Sequence, residues 1–129
     1  MNVRGIRGAI TVDKNLKSEI VTATELLLKK MVSANKLKVD DIASAIFSVT
    51  CDLNAEFPAL AARRLGWIYT PLFCTYEIDV LKAVKKCVRV LLHVNTSKKQ
   101  KDIKNVYLRN AKSLRPDLKV NKRDNYYLS

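Results

Sequence analysis

The amino-acid sequence predicts an α+β domain in which helices lie on one face of a mixed β-sheet. Residues 87–96, CVRVLLHVNT, alternate in polarity: Val88 and Val90 fall on one side of an extended chain and Arg89 falls on the other. Residues 16–34 instead repeat apolar side chains at the spacing of a helix turn. The first pattern predicts a strand and the second an amphipathic helix.

The chain begins with a predicted strand that leads into this helix. The segment NVRGIRGAITV is rich in β-branched residues, its two glycines indicate a bulge or a close approach by another backbone, and it ends at Asp13. Along the helix, apolar side chains recur at Ile20, Leu27 and Met31. Asn15 or Asp13 is available as its N-terminal cap.

The middle of the chain predicts further helices and strands. VDDIASAIFSVTCDL predicts a short capped helix that runs into a strand near residues 47–50. FPALAARRLGW predicts a helix with Pro58 near its first turn and Gly66 at its end. PLFCTYEIDV predicts a strand that precedes the one at residues 87–96.

The last part of the chain is more polar and less regular. After SKKQKDIKN we expect a short helix at residues 102–107 and a final strand near residues 110–114. The predicted order is therefore β-α-α-β-α-β-β-α-β. A chain of 129 residues has the usual size of one domain, so we expect a single domain over residues 1–118 and a basic tail over residues 119–129.

The composition restricts the partners without identifying them. A formal net charge of +12 favours anionic ligands, although much of it lies in solvated stretches whose simplest role is solubility rather than nucleic-acid binding. No apolar stretch is long enough to span a bilayer, and the first residues lack the apolar core of a signal peptide. We therefore expect a cytoplasmic protein that contacts neither nucleic acid nor membrane.

The cysteine and histidine content argues against a metal centre. Cys51, Cys74 and Cys87 form no CxxC pair, and their odd number does not suggest a disulfide framework, so we expect free thiols. His93 is the only histidine, and no recognisable ligand spacing accompanies it. The sequence thus predicts no metal site.

Arg89 poses the sharpest question, because it lies in the middle of a predicted strand. An arginine keeps its charge, and burying it without an anionic partner is costly. One explanation is a buried structural ion pair with Glu77, and the other is a binding site for an anion. The residues considered so far leave both explanations open.

Several short segments, taken in order, favour the second explanation. They resemble the monofunctional, trimeric chorismate mutases of the AroH class, and the resemblance runs from Met1 to about Leu118. The segments that carry it are RGIRGA, DLNAEFPA, ARRLGW, CTYE, KKCVRV, NVYL and LRPDL.

The resemblance implies a fold and an activity. The fold is an α+β subunit, related to the ferredoxin-like fold, that assembles as a trimeric pseudo-barrel with sites between subunits. The activity is the Claisen rearrangement of chorismate to prephenate, on the way to phenylalanine and tyrosine. This pericyclic reaction transfers no proton and forms no covalent enzyme intermediate, so the resemblance implies no cofactor and no metal.

The resemblance also implies roles for particular residues. Arg89 is the cation that faces the ether oxygen, where negative charge develops in the transition state. Arg7 pairs with a substrate carboxylate, and Tyr107 donates a hydroxyl hydrogen bond to the same region. Glu77 and Cys74 correspond to the pair that binds the ring hydroxyl.

The remaining implied site residues surround the substrate. Phe57 supplies an apolar wall, while Arg63 and Arg115 close over the mouth. In a regular strand Cys74 and Glu77 point to opposite faces, so they share one pocket only through a bulge or if neighbouring chains contribute one each.

The sequence also departs from the family pattern. Tyr76 stands where members commonly carry Gln, Leu60 stands where they carry a basic residue, and the segment at residues 63–67 is one residue shorter. Arg64 is a candidate replacement for the missing basic residue. Two alternatives from other classes remain open: a small basic nucleic-acid-binding module, and a trimer that binds another anionic metabolite without catalysis.

Overall fold

The computed structural model describes residues 1–114 and the backbone of residues 126–128. Six strands and two α-helices form its framework, and short 3-10 helices occupy Val39–Asp41, Gln100–Asp102 and Arg109–Leu114. In chain order the elements are β1 (Asn2–Thr11), α1 (Lys17–Asn35), β2 (Ile42–Val49), α2 (Ala59–Arg64), β3 (Leu72–Tyr76), β4 (Cys87–Thr96), β5 (Asn105–Leu108) and β6 (Tyr126–Leu128).

The strands form one mixed sheet in the order β3-β2-β4-β1-β5-β6. β4 lies antiparallel between β1 and β2, whereas β3, β5 and β6 each join their neighbour in parallel. The pairing of β1 with β4 is the longest, running from Asn2 opposite Thr96 to Thr11 opposite Cys87. It forms the centre of the sheet.

The main hydrophobic core lies between one face of this sheet and the two α-helices. The alternate residues of each strand point toward the helices, as Ile6 and Ile10 do in β1 and Phe47 does in β2. α1 contributes Leu27 and Met31, which are fully buried. This arrangement confirms the predicted α+β class with helices on one face.

The opposite face of the sheet is covered by no α-helix in the described part of the chain. Near one end it carries a small second cluster of buried residues, in which the 3-10 helix at Arg109–Leu114 packs Ala111 against Ala9, Cys87 and Tyr107. Elsewhere on this face the side chains are half-buried or exposed. We refer to it as the open face.

Two of the predicted elements were wrong, both near the end of the chain. Residues 102–107 do not form a helix: NVYL is the strand β5, and its residues Val106, Tyr107 and Leu108 lie opposite Gly8–Ile10 of β1. Residues 110–114 are helical rather than extended, because the chain leaves the sheet at Arg109, whose φ is 57°. Long-range parallel pairing thus overrides a weak local preference.

The start of β2 was also placed too late. The predicted capped helix is only the 3-10 turn at Val39–Asp41, and the strand begins at Ile42 rather than Phe47. A register shift against β4 between Ile42 and Ser44 interrupts the alternation that marks a strand in the sequence.

The N-terminus of α1 is held differently from the prediction. Neither Asp13 nor Asn15 caps the helix: Leu16 is the N-cap residue and makes no side-chain capping bond. Glu19 accepts hydrogen bonds from the backbone N–H groups of Asp13 and Lys14, both at 3.2 Å. The Asn15 side chain instead accepts from backbone N–H groups in the loop after β2. Within the described residues, no helix is long and apolar enough to cross a membrane.

We expect Gly8→Ala to destabilise the fold by about 1–3 kcal/mol, because a Cβ at Gly8 would overlap the sulfur of Met31 and lie 3.1 Å from Cδ1 of Leu27. Gly5→Ala on the same strand is the matched control, since its Cβ would meet only Cδ1 of Leu91 at an ordinary 3.6 Å. Urea unfolding of both variants measures the difference. Equal midpoints would show that α1 does not press on β1 as described.

Candidate active site

A row of side chains crosses the open face of the sheet. The strand register places Tyr107 of β5 opposite Ala9 of β1, and Ala9 opposite Arg89 of β4. The row continues from Arg89 to Ser48 of β2 and then to Thr75 of β3. Because paired residues point to the same face, these side chains share one surface.

Glu77 reaches this row from the end of β3. Its backbone N–H donates to the carbonyl of Val49 at 2.8 Å, which keeps the residue attached to β2. Its Oε1 lies 3.4 Å from Nε of Arg89, and the two side chains are 23% and 27% exposed. This distance is an ion pair but is long for a hydrogen bond, so the charges attract without tight geometry.

Two buried polar atoms on the open face have no hydrogen-bond partner within the described residues. They are Nε of Arg89 and the hydroxyl oxygen of Tyr107, and Tyr107 is only 1% exposed. Buried polar atoms are normally paired, so an unpaired donor beside a cavity indicates room for a ligand. The predicted residues Arg7, Glu77, Arg89 and Tyr107 do line one cavity, of about 170 Å³.

The charges around this cavity do not balance. Arg7 and Arg89 bring two guanidinium groups, whereas Glu77 brings one carboxylate. The backbone N–H of Arg7 donates to Asn105 at 2.8 Å, but its side chain is exposed and has no partner among the described residues. The cavity can therefore accept an anion, and a guanidinium fork suits a carboxylate.

Phe57 and Cys74 lie in a different cavity, of about 310 Å³, together with Leu53, Pro58 and Tyr76. Phe57 is 67% exposed and forms an apolar wall. Burial raises the pKa of the Cys74 thiol, although the backbone of Ala59 and the charge of Arg63 oppose this. Arg63 lies near the end of α2.

The two cavities have no lining residue in common. Cys74 packs against the main core on the helix side, whereas Thr75 and Glu77 lie toward the open face. β3 pairs with β2 with no shift of register, so no bulge brings Cys74 and Glu77 together. In a single chain the predicted site residues therefore form two separate groups.

Other predicted positions have different outcomes. Arg115 lies outside the described residues. Arg64 pairs with Glu25 of α1 at 3.4 Å and does not line the cavity around Cys74, and its role as a replacement for the basic residue missing at Leu60 stays a prediction. Leu60 itself packs against the core. Tyr76 lines the cavity beside Phe57 and is 58% exposed.

Sequence reasoning missed the supports behind Arg89. Cys87 lies on the same side of β4 as Arg89 and is fully buried. Burial raises the pKa of its thiol to about 11, although the neighbouring Arg89 charge opposes the shift. The Asp52 carboxylate accepts a hydrogen bond from the N–H of Lys86, and the Thr50 hydroxyl accepts one from the N–H of Cys87. The alternation of β4 already places Cys87 on the side of Arg89, but the bonds of Thr50 and Asp52 depend on tertiary folding.

The fold and the charged open face agree with a comparison against known families. A sequence model of the family described as chorismate mutase type I matches residues 3–118. The chain belongs to the chorismate mutase type I family. The resemblance inferred from the short motifs is thereby confirmed.

Individual relatives of the chorismate mutase type I family cover nearly the whole chain. Chorismate mutase AroH of Bacillus subtilis (strain 168) is 45% identical over 123 residues, which are 95% of this chain and 97% of that protein. Chorismate mutase AroH of Thermus thermophilus is 45% identical over 117 residues, covering 90% and 96% of the two chains. A solved chorismate mutase from Clostridium thermocellum matches with a TM-score of 0.83 and 56% identity, over 84% of this chain and 97% of that one.

We expect the three thiols to differ in reactivity. Cys51 is exposed, Cys74 is partly buried and Cys87 is buried with its pKa raised to about 11. Because the thiolate is the reactive form, a disulfide reagent at pH 8 should modify Cys51 first and Cys87 only after unfolding.

A colorimetric thiol titration of the native and the urea-unfolded protein measures this order. Cys51→Ser serves as the control that removes the fast phase. Modification of Cys87 in the folded protein, detected by peptide mass, would contradict its burial.

Proposed function

We propose that this protein rearranges chorismate to prephenate at a site completed between neighbouring copies of the chain in a homotrimer. Membership of the chorismate mutase type I family supports the reaction. The observation that carries the site is the open-face cavity, in which two arginines and the unpaired hydroxyl of Tyr107 face one carboxylate. Chorismate is a dicarboxylate, and such a cavity suits it.

In the proposed mechanism Arg89 acts on the transition state. The C–O ether bond breaks ahead of C–C bond formation, so negative charge grows on the ether oxygen. A fixed guanidinium at that oxygen interacts more strongly with the transition state than with the ground state, and this difference raises kcat. A second nitrogen of Arg89 holds a substrate carboxylate.

The other residues of the open face hold the substrate in its reactive shape. Arg7 pairs with a carboxylate, and Tyr107 donates its hydroxyl to the same region. Glu77 accepts a hydrogen bond from the ring hydroxyl. Holding a flexible substrate in its diaxial, chair-like conformer removes much of the entropic part of the barrier.

The neighbouring copy supplies the second group of residues. Phe57 provides an apolar wall, Cys74 contributes to binding of the ring hydroxyl, and Arg63 closes the mouth. Arg115 is proposed to close the mouth as well, without assignment to either chain. This division is supported by the separation of Phe57 and Cys74 from the open-face cavity within one chain. It replaces the bulge that would otherwise be needed to bring Cys74 to Glu77.

An exposed apolar surface supports assembly. β3 is the last strand on its side of the sheet, and apolar side chains are exposed on it, on the segment before it and on the loop after it. They are Ile68, Tyr69, Phe73, Tyr76, Ile78, Val80 and Leu81. Several large apolar side chains exposed along one edge of a sheet are consistent with an interface. An interface that joins two different surfaces of the same chain forms a ring when the rotation between neighbouring copies closes, and a trimer is such a ring.

The proposed groups suffice for catalysis without a cofactor or a metal. A rate enhancement near 10⁶ corresponds to about 8 kcal/mol of barrier. One oriented donor at a developing oxyanion contributes roughly 3–4 kcal/mol, and restriction of the substrate can supply much of the rest. The rearrangement also needs no nucleophile or general base.

We expect the purified protein to consume chorismate, and Arg89→Ala to reduce kcat by at least about 10²-fold with a smaller change in KM. Arg89→Lys should recover only part of this loss, because it keeps the charge but not the planar fork. The decrease in ultraviolet absorbance of chorismate follows the reaction, and urea midpoints report folding of the same variants.

The competing explanation makes Arg89 a structural partner of Glu77. In that case either single removal would destabilise the fold by about 3–5 kcal/mol, while the folded variant kept the original kcat. Loss of activity in EDTA, with recovery on adding a divalent ion, would overturn the cofactor-free mechanism. A folded protein with no activity would favour a trimer that binds another anion.

We expect mixed trimers to reveal a site shared between chains. Arg89→Ala and Arg63→Ala chains should each be nearly inactive, but unfolding them together and refolding should restore activity in about a quarter of the sites, those that combine the intact half of each chain.

The control mixes Arg89→Ala with Arg7→Ala, which alter the same cavity. That mixture should recover nothing, because every site then receives one altered open face. Recovery in neither mixture, with trimers verified by light scattering, would place the whole site within one chain.

A further inference from the structure

Both ends of the loop at residues 77–86 are bonded to residues 49–52, at the end of β2 and just after it. At the first end, the N–H of Glu77 donates to the carbonyl of Val49 at 2.8 Å, and the thiol of Cys51 lies 3.9 Å from the carbonyl of Glu77. At the other end, the N–H of Lys86 donates to both carboxylate oxygens of Asp52, at 3.2 and 3.0 Å. Residues 49–52 therefore hold the backbone at Glu77 and at Lys86, three residues before Arg89.

Thr50 completes this attachment. Its hydroxyl donates to Asp52 and accepts from the N–H of Cys87 at 3.0 Å. Its backbone N–H donates to the carbonyl of Cys87 at 3.1 Å, while the N–H of Val12 donates to the carbonyl of Lys86 at 2.9 Å. The backbone at the start of β4 is thus bonded both by Thr50, after β2, and by Val12, after β1.

The backbone of Lys86 has an unfavourable conformation that these bonds stabilise. Its φ is 49°, a left-handed conformation that is unfavourable for a residue with a Cβ. A carboxylate that accepts its N–H forms a charge-assisted bond, which is stronger than a neutral one. Asp52 therefore stabilises the turn from which the chain enters β4.

We propose that Asp52 is a positioning residue for the rearrangement. It holds the start of β4 through the N–H of Lys86 and through Thr50. This attachment aligns the guanidinium of Arg89, which lies three residues after Lys86. This inference rests on the proposed role of Arg89. The Arg89–Glu77 contact, at 3.4 Å, is long for a hydrogen bond, so the backbone of β4 also determines where the guanidinium lies.

Alignment matters because electrostatic stabilisation of a transition state depends on fixed geometry. A displacement of about 1 Å can reduce a rate by about 10²-fold. Asp52 lines a cavity of about 340 Å³ that also reaches Arg89, but it does not line the cavity that contains Arg7 and Tyr107. Its proposed effect on the reaction is therefore indirect, through the backbone that carries Arg89.

The test compares variants of Asp52 with one of Asp79. Asp52→Ala should reduce kcat by about 10-fold or more and change KM by less than about threefold. The kcat of Asp52→Asn should lie between that of Asp52→Ala and that of the unsubstituted protein, because one side-chain oxygen can still accept a hydrogen bond. Asp79→Asn is the matched control: Asp79 lines the same cavity and has no hydrogen-bond or ion-pair partner among the described residues. It should keep kcat within about twofold.

A second measurement separates positioning from structural support. In an Arg89→Lys background, Asp52→Ala should reduce kcat by only about twofold more, because the aligned fork is already absent. A structural role would lower the urea midpoint equally in both backgrounds and leave kcat of the folded protein unchanged. That result, or an equal loss of kcat in both backgrounds, would overturn the inference.

Thr50 allows the same test if Asp52→Ala does not fold. Thr50→Ser keeps the hydroxyl and should keep kcat, whereas Thr50→Val removes it and should lower kcat. Equal kcat values for the two would overturn the inference. Arg89→Ala, assayed in parallel, separates a failure of the proposed mechanism from a failure of the inference about Asp52. If Arg89→Ala is fully active, the proposed mechanism fails. If Arg89→Ala is slow while Asp52→Ala is not, only the role of Asp52 fails.

Discussion

The long antiparallel pairing of β1 with β4 is the interaction on which the candidate site depends. Its register sets Ala9 directly opposite Arg89, and the parallel pairing of β5 on the other side of β1 sets Tyr107 opposite the same Ala9. A small side chain at that position leaves space between the guanidinium and the phenol. A slip of one residue along β1 would turn the alternate side chains to the wrong face, so the register that buries Ile6 also exposes Arg7.

The sheet is a barrier as well as a support. Its helix side is sealed by α1 and α2, and there the apolar side chains exclude water. Its open face carries half-buried charge, which is stable only if an anion or a partner balances it. Cys74 and Glu77 are three residues apart along an extended segment, so their side chains point to opposite faces and the sheet keeps the two groups of residues apart. This separation is what supports the proposed site between copies.

Several features could be read from local sequence pattern. The repeat of Ile20, Leu27 and Met31 predicts α1 because one face of an isolated helix shows the same spacing as in the folded protein. The alternation along β4 likewise indicates which side of the strand Arg89 occupies. The strand NVYL was mistaken for a helix, since four residues carry too little pattern to overcome the ambiguity of short apolar runs.

By itself the sequence determined the α+β class, the family through motifs such as RGIRGA and KKCVRV, and the side of β4 on which Arg89 lies. These depend on residues that are close in the chain. Only the tertiary structure decided that Tyr107 joins Arg89 while Cys74 does not, and that Asp52 holds the backbone of Lys86. Such contacts join residues from strands and loops that are distant in the chain, and they depend on strand register and long-range hydrogen bonds, which no local spacing specifies.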